Sequence, residues 1–155
     1  MPMQICRPLA VAAACVATSA HAGEDRWSFA FGQGVAQYAV GSFLDGSSHL
    51  ALSCAEAGLE PGSASVDLTR AGFAPPGPTP ATFITDKGQV TMVFDARGWA
   101  RYPNLAASEF QALWRLLATA RTLNVAYGPG APMRLPVAGA AELLGDTVCP
   151  KQLAQ

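Results

Sequence analysis

The stretch FITDKGQVTMVFD, residues 83–95, carries the pattern that decides the fold. Apolar side chains recur at every second position of its second half, which is typical of a β-strand with one buried face. The central turn Asp86-Lys87-Gly88 joins this half to Phe83-Ile84-Thr85, so the stretch predicts a β-hairpin. The side chains expected in the core are Val90, Met92 and Phe94.

The same alternation extends in both directions along the chain. Trp27, Phe29 and Phe31 share one face of a first predicted strand. Residues 41–48, with Asp45-Gly46 at the centre, are expected to form a turn. Residues 72–80 contain four prolines and two glycines and are expected to form a surface loop. Further strands are predicted around Ala36–Val40, Leu50–Cys54, Ala64–Leu68, Trp99–Tyr102, Leu123–Tyr127 and Met133–Val137.

One segment has a helical period instead. Apolar residues at i, i+4, i+7, i+11 and i+14 predict an amphipathic helix over about 105–121, and Trp114 close to that stripe is expected to pack in the core. Asn104 could cap the helix, or residues 108–111 could form a capping box, and Arg121 would lie in the last turn. A short C-terminal helix is predicted over about 139–146.

These elements predict a mainly β (α+β) architecture. We expect an antiparallel β-sandwich or partly open barrel of seven or eight short strands, with the amphipathic helix packed against it. Pro136 makes the last strand an edge strand, because proline cannot donate to a central ladder.

The N-terminus has the features of a cleavable secretory signal. Arg7 is followed by an apolar run too short to span a bilayer, and Ala20-His21-Ala22 fits the small-residue rule for signal peptidase. We therefore expect a signal peptide at 1–22, a single β-rich domain at 23–155 and a periplasmic location. Lipid anchoring at Cys15 is the weaker alternative, because the leucine usual three residues before a lipidated cysteine is missing.

Cleavage would leave two cysteines, Cys54 and Cys149. An even number in an oxidising compartment predicts one structural disulfide, which would close a loop of about 95 residues. No C-x-x-C pair suggests a redox role.

Charge and composition exclude several function classes. The 10 basic and 11 acidic side chains nearly balance, which gives no electrostatic case for binding nucleic acid. No segment after the signal is apolar and long enough for a transmembrane helix. We expect no metal site and no cofactor, because His49 is the one histidine of the mature chain.

Catalytic signatures are weak. Residues 45–49, Asp-Gly-Ser-Ser-His, contain the residue types of a hydrolytic triad, but one turn cannot supply the spatial arrangement that a triad requires. A mechanism based on His49 or on carboxylates such as Glu56, Glu60 or Asp95 stays open as an alternative.

The most suggestive surface motif is Arg97-Gly98-Trp99-Ala100-Arg101-Tyr102. On a strand, Arg97, Trp99 and Arg101 would project from one face and place an indole between two guanidinium groups. Tryptophan and arginine dominate binding hot spots and can stack on each other. These three residues and Tyr102 are our candidate partner-binding residues; the alternative is a tryptophan that covers the core edge with arginines beside it.

Residues 83–149 resemble the C-terminal half of the invasion-associated locus B family of small bacterial periplasmic proteins. The resemblance rests on the hairpin, the helix, the strand Leu123–Tyr127 and the closing segment Leu135–Leu144 with Cys149. It implies a secreted, compact and β-rich protein, and it carries over no active site. The family's early tryptophan-to-cysteine motif and its additional cysteines are missing here.

The leading functional hypothesis is an exported periplasmic binding protein without catalytic activity. It would present a sheet face and the loops at 72–80 and 128–132 to a protein or envelope partner. A more specific variant is an inhibitor or immunity protein, by analogy of fold alone. The competing hypothesis is a small periplasmic hydrolase.

Overall fold

The structure is a computed structural model, and it describes residues 25–41, 47–55 and 63–150. The predicted signal at 1–22, the centre of the turn at 41–48, and Glu56 and Glu60 lie outside the described residues.

Two antiparallel sheets form the body of the protein. The larger sheet has the strand order β1-β2-β3-β4-β7, and the smaller has the order β6-β5-β8-β9. The strands of the larger sheet are β1 (Ser28–Gly32), β2 (Val35–Gly41), β3 (His49–Ala55), β4 (Ala64–Thr69) and β7 (Trp99–Arg101). Those of the smaller sheet are β5 (Thr79–Thr85), β6 (Gly88–Phe94), β8 (Leu123–Tyr127) and β9 (Met133–Leu135).

This arrangement confirms the mainly β prediction and is that of a β-sandwich, with no closed barrel among the described residues. The described part of the chain forms nine strands, against the seven or eight expected. The two shortest, β7 and β9, have three residues each and pair with one neighbouring strand. β9 lies at a sheet edge, as predicted, but it ends at Leu135, before Pro136.

Alternation along the strands produces the core between the sheets. Tyr38, Leu52 and Val66 are cross-strand neighbours in the larger sheet and are all buried. In the smaller sheet Phe94 packs between Phe83 and Tyr127, with ring centroids 6.2 Å and 5.6 Å away. Burial of these side chains is the main favourable term for folding.

The first strand differs from the prediction in where it begins and in how exposed its two phenylalanines are. Trp27 precedes β1 and is buried, with its indole N–H donated to the carbonyl of Pro136 at 3.0 Å. Phe29 lies on the core side of the sheet and contacts Tyr38, with tilted rings whose centroids are 5.1 Å apart. It nevertheless stays 42% exposed, and Phe31 stays 44% exposed. β1 is the outermost strand, so part of its core-side face meets solvent.

The predicted loop at 72–80 is also shorter than expected, because Thr79 and Pro80 belong to β5. β8 pairs with β5 only from Ala81 onward. On the β6 side Pro80 pairs with Val93, which is a non-hydrogen-bonded pair when counted from Thr85 and Gly88 at the turn, so the missing N–H of Pro80 leaves no ladder hydrogen bond unmade.

The amphipathic helix α1 spans Ala107–Thr119 and buries Phe110, Leu113, Trp114 and Leu117, as its apolar stripe predicts. The capping prediction was wrong, since the N-cap is Ala106 and neither Asn104 nor Ser108. Alanine has no side-chain acceptor, so only one of the two side-chain hydrogen bonds of a capping box forms. In that bond the carboxylate of Glu109 accepts the Ala106 N–H at 3.0 Å.

Arg121 lies beyond the helix and not in its last turn. Its backbone N–H donates to the carboxylate of Asp86 at 2.7 Å, which ties the end of α1 to the β5–β6 turn. This bond is the main reason why the pKa of Asp86 is lower than usual, against the opposing effect of desolvation.

A second helix, α2, spans Ala140–Leu144 within the predicted segment. The buried indole of Trp114 donates to the carbonyl of Leu144 at 3.1 Å, which holds α2 against α1. None of the described helices has the length and apolarity that a membrane crossing demands.

The predicted disulfide joins Cys54 on β3 to Cys149, with the two Cα atoms 5.5 Å apart. Both cysteines are buried, at 3% and 6% exposure. The bond closes a 95-residue separation, so it ties the C-terminal segment to the middle of the larger sheet.

Removal of this disulfide should lower the free energy of unfolding by about 2–5 kcal/mol, because the reduced unfolded chain gains loop entropy. Urea denaturation of the oxidised and reduced protein measures the difference. As a control, Cys54→Ala/Cys149→Ala should show the same loss and no response to reductant. Equal midpoints for oxidised and reduced wild type would contradict the expectation.

Candidate functional site

The Arg-Trp-Arg motif begins in a tight turn, residues 95–98, that leads into β7. The carboxylate of Asp95 accepts the N–H of Arg97 at 2.8 Å and the N–H of Trp99 at 3.0 Å. The backbone also closes on itself, with Asp95 N–H donated to the Trp99 carbonyl and Gly98 N–H to the Asp95 carbonyl, both at 2.9 Å. Four hydrogen bonds therefore fix the position from which Trp99 projects.

Gly98 makes this turn possible. Its φ is 80°, and a Cβ at this position would lie 2.4 Å from the carbonyl oxygen of Leu68. Only glycine allows both the positive φ and the close approach to β4. At this short distance the Leu68 N–H donates a hydrogen bond to the Gly98 carbonyl, at 2.8 Å.

Both arginine side chains lie over the indole of Trp99, although Arg97 is in the turn and not on the strand. The guanidinium carbon of Arg101 is 4.0 Å from the centre of the indole, and that of Arg97 is 5.9 Å away. Both distances allow cation–π attraction, and the shorter one is a stacking contact. Neither arginine forms an ion pair with a carboxylate of the described residues.

Tyr102 does not join this group. β7 ends at Arg101, so Tyr102 lies outside the row that Trp99 and Arg101 share, and it is 62% exposed. It remains an exposed aromatic residue beside the site.

A cavity of about 220 Å³ opens beside Trp99 and Arg101 on the outer face of the larger sheet. Its floor is polar because β2, β3 and β4 turn Gln37, Ser53, Ser65 and Asp67 outward there. The cross-strand register places Ser65 opposite both Ser53 and Arg101, and Asp67 opposite Trp99. The lining residues are Gln37, Ser53, Ser65, Val66, Asp67, Trp99 and Arg101.

His49 lies next to this cavity and contacts one of its lining residues. Its Nε2 atom is 3.3 Å from the carboxylate of Asp67, and the histidine side chain is 9% exposed. The neighbouring Ser48 hydroxyl accepts the N–H of Ala71 at 3.1 Å. The described residues contain no group of three metal-ligating side chains.

The two loops expected to face a partner are joined to each other. The guanidinium of Arg70 donates to the carbonyls of Tyr127 and Ala131, at 2.7 Å and 2.9 Å. Phe73 packs edge-on against Tyr127 at 5.1 Å and fills the space above Gly128. The loops after β4 and β8 therefore form one surface.

Tyr127 lies beneath this surface, with a buried hydroxyl that has no hydrogen-bond partner among the described residues. Desolvation raises its pKa, and the negative charges of Asp95 and Asp67 raise it further. The hydroxyl therefore stays protonated at neutral pH.

Desolvation acts on Asp95 in the direction of a higher pKa. The N–H donors of Trp99 and Arg97 and the charges of Arg101 and Arg97 outweigh it, so the pKa of Asp95 lies below the ordinary 3.8. These are the bonds that hold the turn, so the charged form of Asp95 is the one that stabilises it.

The fold and the site together define a small, disulfide-bonded β-sandwich protein with a polar cavity on one outer sheet face. The chain belongs to the YfjT family, whose profile matches residues 25–144. No curated protein and no solved structure matches the chain. The resemblance to the invasion-associated locus B family stays a prediction.

Sequence reasoning identified the Arg-Trp-Arg motif and missed the residues that complete its surroundings. Asp67, Ser53 and Ser65 lie on strands that are distant in sequence from Trp99. Their outward positions follow from alternation, but no sequence signal showed that β4 pairs with β7.

Gly98→Ala should lower the free energy of unfolding by more than Gly72→Ala does. Each substitution places a side chain at positive φ, which costs about 1–3 kcal/mol. Only the Cβ at position 98 also meets the Leu68 carbonyl; Gly72, with φ 73°, has open space around it. Urea denaturation of both variants measures the two free energies of unfolding. Equal decreases would show that the contact with the Leu68 carbonyl does not add to the cost of the Gly98 substitution.

Asp95→Asn should reduce stability at neutral pH and should lose this effect in acid. A carboxyl whose folded pKa is lowered stabilises the protein fully above its unfolded pKa, near 3.8, and this contribution is lost as pH falls through the folded value. Denaturation of wild type and variant between pH 7 and pH 2 measures the difference. A difference that grows toward low pH would contradict the expectation.

Proposed function

We propose that this protein is an exported binding protein that engages a protein partner through Trp99, Arg97, Arg101 and the adjoining cavity. The observation that carries the proposal is the stacked arginine of this site. Arg101 lies 4.0 Å from the indole of Trp99 and is not paired with a carboxylate of the described residues.

A stacked guanidinium keeps its N–H donors in the plane of the group, where they can form two parallel bonds to a carboxylate. Stacking also restricts a long side chain before binding, so less conformational entropy is lost when a partner arrives. Arginine and tryptophan at the rim of a cavity are the residue types that dominate binding energy in protein interfaces.

The size of the cavity favours one part of a larger partner over a free organic ligand. Pockets for drug-sized molecules have about 300–1,000 Å³, and this cavity has about 220 Å³. A single side chain of a partner protein would suit that volume, with the surrounding sheet face and the joined loops as the remaining contact surface.

That the protein is exported is part of the proposal, and it rests on the N-terminal sequence pattern at residues 1–22. A buried disulfide supports it, because disulfides persist in oxidising compartments such as the bacterial periplasm. An inhibitor or immunity protein for a periplasmic enzyme remains the more specific form of the proposal, by analogy of fold.

Capture from periplasmic extract tests the binding site. Immobilised wild type should retain a defined partner, and Trp99→Ala and Arg101→Ala should each retain at least about tenfold less, since each removes one half of the stacked pair. Val93→Ala is the matched control, because Val93 is 40% exposed but lies on β6 of the other sheet. Quantitative mass spectrometry of the eluates gives the ratios.

Each variant is first shown to have the wild-type thermal transition. The proposal fails if wild type retains no partner, or if Trp99→Ala and Val93→Ala retain the same amount.

A second candidate function, hydrolysis, is favoured by the contact between His49 and Asp67 at the cavity. Against it, the imidazole is nearly enclosed, and the Asp95 carboxylate is engaged in the turn. Chromogenic ester and glycoside substrates separate the two functions. Turnover by wild type that His49→Gln abolishes and Trp99→Ala preserves would favour the hydrolase.

A further inference from the structure

The hairpin of β1 and β2 ends the larger sheet, and no further strand of the described residues pairs with the outer edge of β1. β1 is the outermost strand, and its Phe29 and Phe31 are both more than two-fifths exposed. Natural sheets block such edges with charged residues, prolines or bulges. Residues 28–41 contain no charged residue and no proline, and the pairing of β1 with β2 is regular.

The hairpin turn determines which backbone groups of β1 face outward. Gln33 and Gly34 have φ values of 53° and 75°, which is typical of a two-residue type I′ turn. The flanking residues Gly32 and Val35 then form a hydrogen-bonded pair. Because such pairs alternate with non-bonded ones, Phe29 and Phe31 direct their N–H and C=O groups away from β2.

The length of the free edge is limited at both ends. Trp27 N–H is already donated to the carbonyl of Ala138 at 2.8 Å, and the turn begins after Gly32. A strand that adds to this edge therefore pairs with Ser28–Gly32.

We propose that this edge pairs with the same edge of a second copy of this chain. The two β1 strands run antiparallel, with the Ala30 residues of the two copies facing each other at a twofold axis. In this register Phe29 of each copy lies opposite Phe31 of the other.

The sequence Ser-Phe-Ala-Phe-Gly is what makes a second copy the fitting partner. It is nearly symmetric about Ala30, so the register that pairs the phenylalanines also pairs all of their outward N–H and C=O groups in four hydrogen bonds. Aromatic cross-strand pairs stabilise a sheet, and the uncharged hairpins approach without repulsion. The contact uses the same patch on both copies, so it closes as a dimer.

The dimer should dissociate on dilution. Five residues per copy are few beside the roughly 20–30 per side of a standard interface. Sedimentation equilibrium of the full chain, expressed for export and purified in oxidised form, should give a mass that rises with concentration toward that of two copies. Phe29→Lys/Phe31→Lys should stay monomeric, and Val93→Lys, which alters an exposed valine elsewhere, should behave as wild type.

Cysteine cross-linking tests the register. At the twofold axis the two Ala30 Cα atoms form a non-hydrogen-bonded pair about 4.5 Å apart, within the range that a disulfide spans. Ala30→Cys should form a covalent dimer under mild oxidation. Gly32→Cys is the matched control: its Cβ has open space, and its two copies lie about 13 Å apart along the strands.

Non-reducing electrophoresis should show at least about tenfold more covalent dimer for Ala30→Cys than for Gly32→Cys. Cys54 and Cys149 are buried in their own disulfide and do not compete. Equal cross-linking of the two variants, or a monomer at every concentration of wild type, would overturn the proposal.

Discussion

The buried indole of Trp114 is the contact on which the rest of the structure depends. It lies on α1, meets Tyr38 of β2 edge-on at 5.0 Å, and donates its N–H to the carbonyl of Leu144 in α2. One side chain thus joins the helix, the larger sheet and the C-terminal segment. The disulfide reinforces the same connection, because Cys149 follows α2 closely and bonds to Cys54 on β3, the neighbour of β2.

The candidate site is a consequence of that core. Ala100 is fully buried against it, so its neighbours Trp99 and Arg101 must face outward. The turn before them is held by Asp95 and by the contact between Gly98 and β4. The packing of the core therefore determines that the guanidinium of Arg101 lies over the indole of Trp99, beside a polar cavity.

The two surfaces that we connect with binding lie at opposite edges of one sheet. The Arg-Trp-Arg motif lies on and beside β7, and the free edge belongs to β1. A dimer formed through β1 would therefore leave the site at β7 accessible in both copies and would place both sites on one continuous sheet. Two linked sites can raise the avidity for a partner that also carries two copies of its contact surface.

By itself the sequence determined the local structure and the covalent bond. Period-two alternation predicted the strands, the helical stripe predicted α1, and the two cysteines outside the predicted signal predicted the disulfide. The strand and helix signals are local, because side-chain direction repeats with a fixed period along each element. The disulfide followed from the number of cysteines.

Only the tertiary structure decided which faces are covered and which distant side chains meet. Phe29 and Phe31 have the alternation of core residues, but they remain exposed because β1 is an edge strand. Ala106 caps the helix in place of Asn104, because Asn104 and Leu105 belong to the turn after β7 and donate their N–H groups to the Arg101 carbonyl. The pairing of β4 with β7 brings Asp67 to Trp99, and strand pairing depends on packing between segments that no local pattern records.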